Sequence, residues 1–312
     1  MQKYVGIDIG GSFIKFGLVD ADGNILEQES MPTKREDPEG LLAKLTAIIA
    51  GYQRKGIDKV AISLPGVISQ DGTMITAGAI PGFKSRNIQA ELTKMTGASV
   101  QVINDANAAA LSEKWLGHGK NIKNYFCLTL GTGVGGAVVL NDQLLTGRTG
   151  AAGEVGISLL GRGNTRPVGY ESVSFFAGAV AGLCRIYNFK KGVFNLADWQ
   201  TDIPTILKEA KSGGGIAQES FNEFYQNVAV TILNITVMYD PERILIGGGV
   251  SANEEIMANV KQAVNDLFTR YTDVSAVGAP EILPCKFRNS AGILGAVYHY
   301  IQENKEEWKW VN

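Results

Sequence analysis

The chain has 312 residues, a formal net charge of -2 and a pI near 5.8. That length allows two modest domains around a substantial core, and the lack of a basic surplus argues against nucleic acid as a partner. No apolar run is long enough to span a bilayer, the N-terminus runs straight into a strand without a signal peptide, and Cys127, Cys184 and Cys285 lie in apolar surroundings. A cytoplasmic protein with free thiols and no membrane partner is the expectation.

In chain order, Tyr4 to Ile9 and Phe13 to Val19 read as two strands around the turn Gly10-Gly11-Ser12, and Asp22-Gly23 turns into a third strand, Ile25 to Met31. Pro38 opens a helix with Leu41, Leu42, Leu45, Ile48, Ile49 and Tyr52 on one face. Lys59 to Leu64 is a short buried strand ending at Pro65-Gly66, and residues 75–86 read as loop. Asn87 to Met95 is helical and closed by Gly97, Val100 to Ile103 is a strand, and Ala106 to Leu116 is a helix with Gly117 at its C-terminus.

Cys127 to Gly136, CLTLGTGVGG, leads directly into AVVLNDQLL. Gly131, Gly133 and Gly136 satisfy the dinucleotide pattern G-x-G-x-x-G, but that pattern works only where its glycines open a helix facing the pyrophosphate. Val138-Val139-Leu140 and the turn Asn141-Asp142 predict a strand and a hairpin instead, so a dinucleotide site is rejected. The segment repeats the N-terminal plan of strand, glycine turn and strand, which suggests an internally duplicated fold. Two glycine hairpins facing one another across a cleft could hold one polyphosphate on their exposed N–H groups, or they could be ordinary tight turns.

Further on, residues 171–188 and 221–239 read as long helices, the second with a core stripe from Phe221 to Ile235. Residues 190–220 are polar and end in Gly213-Gly214-Gly215, which predicts a surface insertion. Arg243 to Ile246 is a strand running into Gly247-Gly248-Gly249, and Ser251 to Glu254 fits a capping box for a helix through Arg270. Strand 282–287 and helix 291–302 complete the pattern. No long linker divides it, so the expectation is an α/β fold of two domains flanking a cleft. An N-terminal domain of residues 1–117 would be joined by the C-terminal helix, about 291–312, with a larger domain over 118–290.

Phosphoryl transfer needs charge neutralisation, a metal anchor and a group that takes the acceptor's proton. The P-loop pattern is absent. Asp8, ending the first strand beside a glycine turn, suits Mg2+ held through water. Lys15 is near enough in sequence to reach the same phosphates, or is a solvated strand lysine. Asn104-Asp105, at the carboxyl end of a strand and before a helix, is the best placed catalytic candidate, because ligands of open parallel sheets gather there. A carboxylate there can accept a hydroxyl proton. Asn and Asp are also preferred helix caps, and the two roles are compatible. His118 and His299 read as structural or surface residues.

The ordered segments DIGGSFIKFGLVD, SLPG, NDANAAALSE, LTLGTGVGGAVVLNDQLLTG, GAAGEVG and ILIGGGVS resemble the ROK family (repressor, open reading frame, kinase) across nearly the whole chain. The resemblance implies the duplicated actin-like ATPase fold, related to ribonuclease H, and an ATP-dependent carbohydrate kinase. By position, Asp105 matches the catalytic base, and Gly66, Asn104 and Glu154 match sugar-side residues. Gly10, Gly11, Ser12, with Lys15, and Gly131, Thr132, Gly133 match the two phosphate turns, while Gly247, Gly248 and Gly249 match residues near the nucleoside. The resemblance also implies a homodimer. Family repressors carry a DNA-binding segment before the first strand, so that branch is disfavoured for a chain beginning at the strand.

Three departures stand out. Ile157 replaces a histidine that follows Glu154 in most members. The loop from Gly161 to Tyr170 lacks the cysteines of the family's structural zinc site, so no zinc is expected, and Glu171 stands where the trailing glutamate of that cluster would reach the sugar. The segment from Ala79 to Phe83 lacks the family's sugar-contacting asparagine. A zinc-free subgroup resembling this pattern includes β-glucoside kinases and proteins near N-acetylmannosamine kinases. The expected reaction is phosphorylation of the 6-hydroxyl of glucose, a β-glucoside or an N-acyl hexosamine. The alternative is a non-catalytic sugar-sensing or regulatory protein without a DNA-binding domain.

Overall fold

The computed structural model describes residues 2–164 and 167–307. Its elements in order are β1 (Lys3–Ile9), β2 (Phe13–Asp20), β3 (Ile25–Pro32), α1 (Pro38–Gln53), β4 (Lys59–Leu64), α2 (Ile88–Thr96), β5 (Ser99–Asn104), α3 (Asp105–Leu116), β6 (Tyr125–Leu130), β7 (Val134–Leu140) and β8 (Gln143–Leu144). There follow α4 (Val173–Ala177), α5 (Arg185–Lys190), α6 (Ile203–Lys211), α7 (Gly215–Tyr239), β9 (Arg243–Gly247), α8 (Glu254–Arg270), α9 (Thr272–Val277), β10 (Glu281–Pro284) and α10 (Ala291–Glu307).

The chain divides into two compact units. The first comprises residues 1–121, 143–152 and 286–312, and the second residues 122–142 and 153–285. Segment 143–152 therefore belongs with the first unit, whereas the sequence reading put it inside the larger domain.

In the first unit the strands run β3–β2–β1–β4–β5. The first three are antiparallel neighbours, and β4 and β5 lie parallel to β1. One face of this sheet is covered by α1 and α2, whose Leu41, Leu45, Ile49, Ile88 and Leu92 are fully buried or nearly so with Val5, Ile7 and Ile62. The other face is closed by α3 and α10, through Leu111, Ile293, Leu294, Val297 and Tyr300 against Tyr4, Val19 and Ala61. Gly6 and Gly295 allow the close approach on that side. A Cβ on Gly6 would lie 2.6 Å from Ile293 Cγ2, and Gly295 sits directly against the Ala108 backbone.

The second unit repeats the plan. β6 and β7 form an antiparallel hairpin, β9 lies parallel to β6, and β10 parallel to β9. Its core gathers Phe126, Leu128, Phe221, Phe224, Val228, Ile232, Ile244, Ile246 and Val260 between sheet and helices. The hairpin confirms that Gly131 to Gly136 opens a strand, not a helix.

Some expected helices differ. Residues 171–188 do not form one helix: α4 ends at Ala177, residues 179–184 form a π-helical turn, and α5 resumes at Arg185. A Cβ at Gly178 would lie 3.1 Å from Gly133 Cα and 2.6 Å from the Ser174 carbonyl, so close packing on the second glycine turn interrupts the helix there. The polar insertion contains α6, capped by Asp202, with Ile206, Leu207 and Ala210 buried. α7 begins at Gly215, six residues before the expected start. Helix α8 is capped by Asn253, which accepts from Ile256 N at 3.1 Å, and Ser251 instead donates to the Gly248 carbonyl at 2.8 Å. That carbonyl outcompetes the capping box because Gly248 bends the chain back at φ +85°.

Candidate active site

In the first unit, β1 and β2 pair in a register that sets Asp8 opposite Lys15. The turn between them is pinned by Thr33, whose hydroxyl donates to the Gly10 carbonyl at 2.8 Å and whose N–H donates to the Ser12 carbonyl at 2.9 Å. The Gly10 amide closes the turn on the Phe13 carbonyl at 2.9 Å, so the Gly11 and Ser12 amides are the ones whose chemistry suits an anion. The Lys15 ammonium lies 3.8 Å from an Asp8 carboxylate oxygen and donates to the Asn289 carbonyl at 3.3 Å. Burial pushes the Asp8 carboxyl above the usual carboxylate range, while Lys15 and the Ser63 hydroxyl pull it back. Gly292, opening α10, makes room for that carboxylate, since a Cβ there would meet it.

Asn104 and Asp105 stand at the end of β5, where Asn104 pairs with Leu64 of β4. The two residues divide their work. Asn104 is buried and is the N-cap of α3, accepting from Asn107 N at 2.9 Å. Its amide nitrogen donates to the Gly66 carbonyl at 2.9 Å and to Asp105 Oδ1 at 3.2 Å. Asp105 is exposed, and its Oδ1 also accepts from Ala106 N at 2.8 Å. Helix capping thus falls to Asn104 and leaves the Asp105 carboxylate at the strand's carboxyl end with one oxygen fixed by donors. Gly66 has φ +104°, and a Cβ there would collide with the Thr76 carbonyl, so only glycine suits the position. Ala79 lies beside the first glycine turn, with its Cβ 3.0 Å from where a Gly11 Cβ would stand. The first unit therefore brings together Asp8, Gly10 to Ser12 and Lys15 around one hairpin, and Gly66, Asn104 and Asp105 at the ends of β4 and β5.

In the second unit, the Gly131 carbonyl accepts from Ala179 N at 2.8 Å and the Thr132 carbonyl from Ala181 N at 2.9 Å. The π-helical turn thus does for this glycine turn what Thr33 does for the other. Gly248 joins the cluster: its φ is +85°, and a Cβ there would collide with the Leu130 carbonyl just before Gly131. Gly247 and Gly248 therefore stand beside Thr129 and Leu130, the residues that lead into the Gly131 turn. Ser174 links this turn to the segment carrying Glu154, accepting from Val134 N at 3.0 Å while its Oγ limits any side chain at Gly133 or Gly156.

Glu154 follows Gly153 and is half-buried, and that burial raises its carboxyl pKa above the usual range. Ile157 is 72% exposed. Glu171 is buried, and its Oε2 accepts from Gly163 N at 2.6 Å while its carbonyl accepts from the Leu160 and Gly161 amides. It holds the segment from Leu160 to Gly163. Among the described residues no group of three or more His, Cys, Asp or Glu side chains is arranged to hold a metal ion.

Three contributors escaped the sequence reading: Thr33, Ser174 and the buried Glu113. The last accepts from the backbone N–H groups of His118, Lys286 and Phe287, joining the end of α3 to the entry of α10. No local pattern marks any of them, because each partner is distant in sequence or reached through a turn.

Two sheets, each built around a glycine hairpin, with the Asp105 carboxylate at the carboxyl end of the first unit's parallel run, define a phosphotransferase of the actin-like ATPase fold. The chain belongs to the ROK family, whose model matches residues 4–303. Among its relatives is a β-glucoside kinase from Listeria monocytogenes serovar 1/2a, 29% identical over 308 residues, covering 98% of this chain and 100% of the relative. Two solved structures are similar along the whole length. A ROK family protein from Streptococcus pneumoniae TIGR4 in complex with sucrose has a TM-score of 0.83 and 31% identity, covering 98% of this chain and 100% of that one. A ROK hexokinase from Thermus thermophilus has a TM-score of 0.82 and 26% identity, with the same coverage.

Proposed function

We propose that this protein is an ATP-dependent sugar kinase that transfers the γ-phosphoryl group to a hexose or hexoside hydroxyl, with C6 as the acceptor position. The observation that carries the reading is the division between Asn104 and Asp105. A residue needed only as a cap would hold the helix amide itself; here the cap is Asn104, and the neighbouring carboxylate is left exposed and oriented.

In this reading Asp105 accepts the proton of the sugar hydroxyl as that oxygen forms its bond to γ-phosphorus. The bond from γ-phosphorus to the bridging oxygen breaks, and ADP leaves with the electron pair. The turns of Gly10 to Ser12 and of Gly131 to Gly133 receive phosphate oxygens through their Gly11, Ser12, Thr132 and Gly133 amides, since the Gly10 and Gly131 amides close the turns themselves, with Lys15 adding charge and Gly247 to Gly249 lying near the nucleoside. Gly66, Asn104, Glu154 and Glu171 face the sugar side, Glu171 chiefly by holding the loop. The Asp8 carboxylate fits Mg2+, a hard cation that binds proteins through one or two carboxylates and keeps much of its water. When bound, Mg2+ would neutralise charge developing on the phosphates. A homodimer and a cytoplasmic location belong to the same proposal.

The relative named as a β-glucoside kinase and the sucrose complex support glycosides as substrates beside free hexoses. ADP release measured over glucose, methyl β-glucoside, cellobiose and N-acetylmannosamine, with and without Mg2+, tests the proposal. Turnover of none of them, with sugar binding retained, would favour the sensing protein instead.

A further inference from the structure

The first unit contains a cavity of ≈ 370 Å³ beside the edge strand β5, within the size range of small-molecule sites and lined entirely by that unit's own residues. Asn104 forms one boundary, and the cavity extends from there along Gln101 to His299 and Glu303 of α10. We propose that this cavity is a second carbohydrate-binding site, taking an uncharged, hydroxyl-rich ligand next to the Asn104–Asp105 turn.

Three observations point to that chemistry. First, Asn107 lines the cavity and is only 6% exposed, yet its side-chain oxygen has no hydrogen-bond partner. That oxygen is sealed from solvent as placed, and turning the amide brings it to the cavity side, where an occupant with a donor would satisfy it. Second, the lining carries the wrong charge for an anion: among its described residues there is no lysine or arginine, and Glu303 is its acidic member. Burial lowers the His299 pKa to about 4, so at neutral pH the imidazole is uncharged and offers one donor and one acceptor. Besides the Glu303 carboxylate, an acceptor for hydroxyl donors, the polar set is therefore amide, hydroxyl and neutral imidazole, from residues that include Gln101, Asn107, Thr146 and His299. Third, Ile68 and Leu144 give the cavity apolar wall against which the C–H face of a sugar ring can lie.

The ligand could be the second unit of a glycoside substrate or a free sugar acting as an effector, and the chemistry required is the same. The inference rests on the kinase reading for the first source only. Asn107→Leu is a suitable probe, because the α3 cap uses the Asn107 backbone N–H and survives the change. Gln101→Met is a second, independent probe on β5.

The test compares kcat/KM for glucose and for cellobiose, together with calorimetric titration of the nucleotide-free enzyme with glucose. If the cavity holds the second unit of a glycoside, both variants lose about tenfold or more in kcat/KM for cellobiose while glucose changes less than about twofold. If it takes a free sugar, both variants keep kcat/KM but lose a second glucose-binding event that the wild type shows. Wild-type behaviour of both variants in both arms means that the cavity holds water only, and the proposal is then wrong. A wild-type enzyme that phosphorylates no sugar would instead defeat the kinase reading, and the calorimetric arm would still report on the cavity.

Discussion

Replacing Asp105 by asparagine separates catalysis from architecture at one position. Asparagine keeps a side-chain oxygen that can accept from Ala106 N and from the Asn104 amide, two contacts that orient the native carboxylate. The cap on α3 is untouched, because Asn104 supplies it. The folded state should therefore lose no more than about 0.5 kcal/mol, the scale of an exposed substitution away from special features. Catalysis should fare differently. General-base assistance contributes roughly 10²–10⁴-fold, equivalent to about 2.7–5.5 kcal/mol of transition-state stabilisation. Steady-state ADP release should show kcat reduced by at least about 10²-fold with sugar affinity nearly intact, and calorimetric unfolding should show an unchanged melting temperature. Asn104→Ala is the contrasting control. It removes the cap and strands the Gly66 carbonyl, so it should cost about 1 kcal/mol in stability from the cap alone. An Asp105→Asn enzyme that keeps more than a tenth of its kcat would refute the argument, and so would one that loses activity only in step with its stability.

Four further outcomes are expected. His299, held near pKa 4 against about 6.5 when unfolded, binds its proton more weakly in the native state, so stability falls as pH drops from 6.5 toward 4. The ceiling is about 3 kcal/mol, reduced by the partial exposure of the imidazole and by the Glu303 carboxylate 3.9 Å away; His299→Gln should flatten the acid limb of a melting-temperature profile, and an unchanged limb would contradict the assignment. Glu113→Ala orphans three backbone N–H groups and should destabilise by about 3 kcal/mol or more, with Glu113→Gln intermediate; chemical denaturation that ranks both with the wild type would remove Glu113 as an anchor. EDTA should abolish turnover and Mg2+ restore it, and elemental analysis of protein purified without added metal should find no stoichiometric zinc, since residues 161–170 contain no thiolate ligand. If the sugar lies beside Gly66 and Glu154 as proposed, Ile157 and Ala79 offer it no polar group, so β-glucosides, glucose and N-acetylmannosamine should compete for one site and be phosphorylated at C6; turnover of glucose alone, or phosphorylation at C1, would contradict this.

Much of this arrangement could be read from local pattern. The two hairpins declare themselves through alternating apolar residues around glycine, and Val138 to Leu140 suffices to dismiss a dinucleotide site. The division between Asn104 and Asp105 could not be read, because both residue types cap helices and only the backbone angles select Asn104. The break at Gly178 was hidden for another reason: residues 171–188 read as helical apart from Gly178 and Gly182, which a helix can tolerate, and what interrupts them is contact with Gly133, 45 positions earlier in the chain. Ser251 was misread because a local capping signal competed with the equally local Gly248 carbonyl, and the glycine's bend decided the outcome. Glu113 gave no signal, since a buried glutamate in an otherwise ordinary helix is recognised only by the distant amides it holds.

The closing of the first unit by α10 has a consequence for biosynthesis. Tyr4, Val19, Ala61 and Leu111 are all made early, but the residues that cover them, Ile293, Leu294, Val297 and Tyr300, are made nearly last. At roughly 5–20 residues per second, the stretch from residue 121 to residue 291 takes about 9–34 s to translate. Throughout that interval the nascent N-terminal sheet has α1 and α2 on one face and lacks α10 on the other. The second unit, made from chain that emerges in the meantime, can complete its core before the first one does. The unit that starts the chain is thus the last to finish folding, and during synthesis its half-covered sheet is where chaperones or misassembly would find apolar surface.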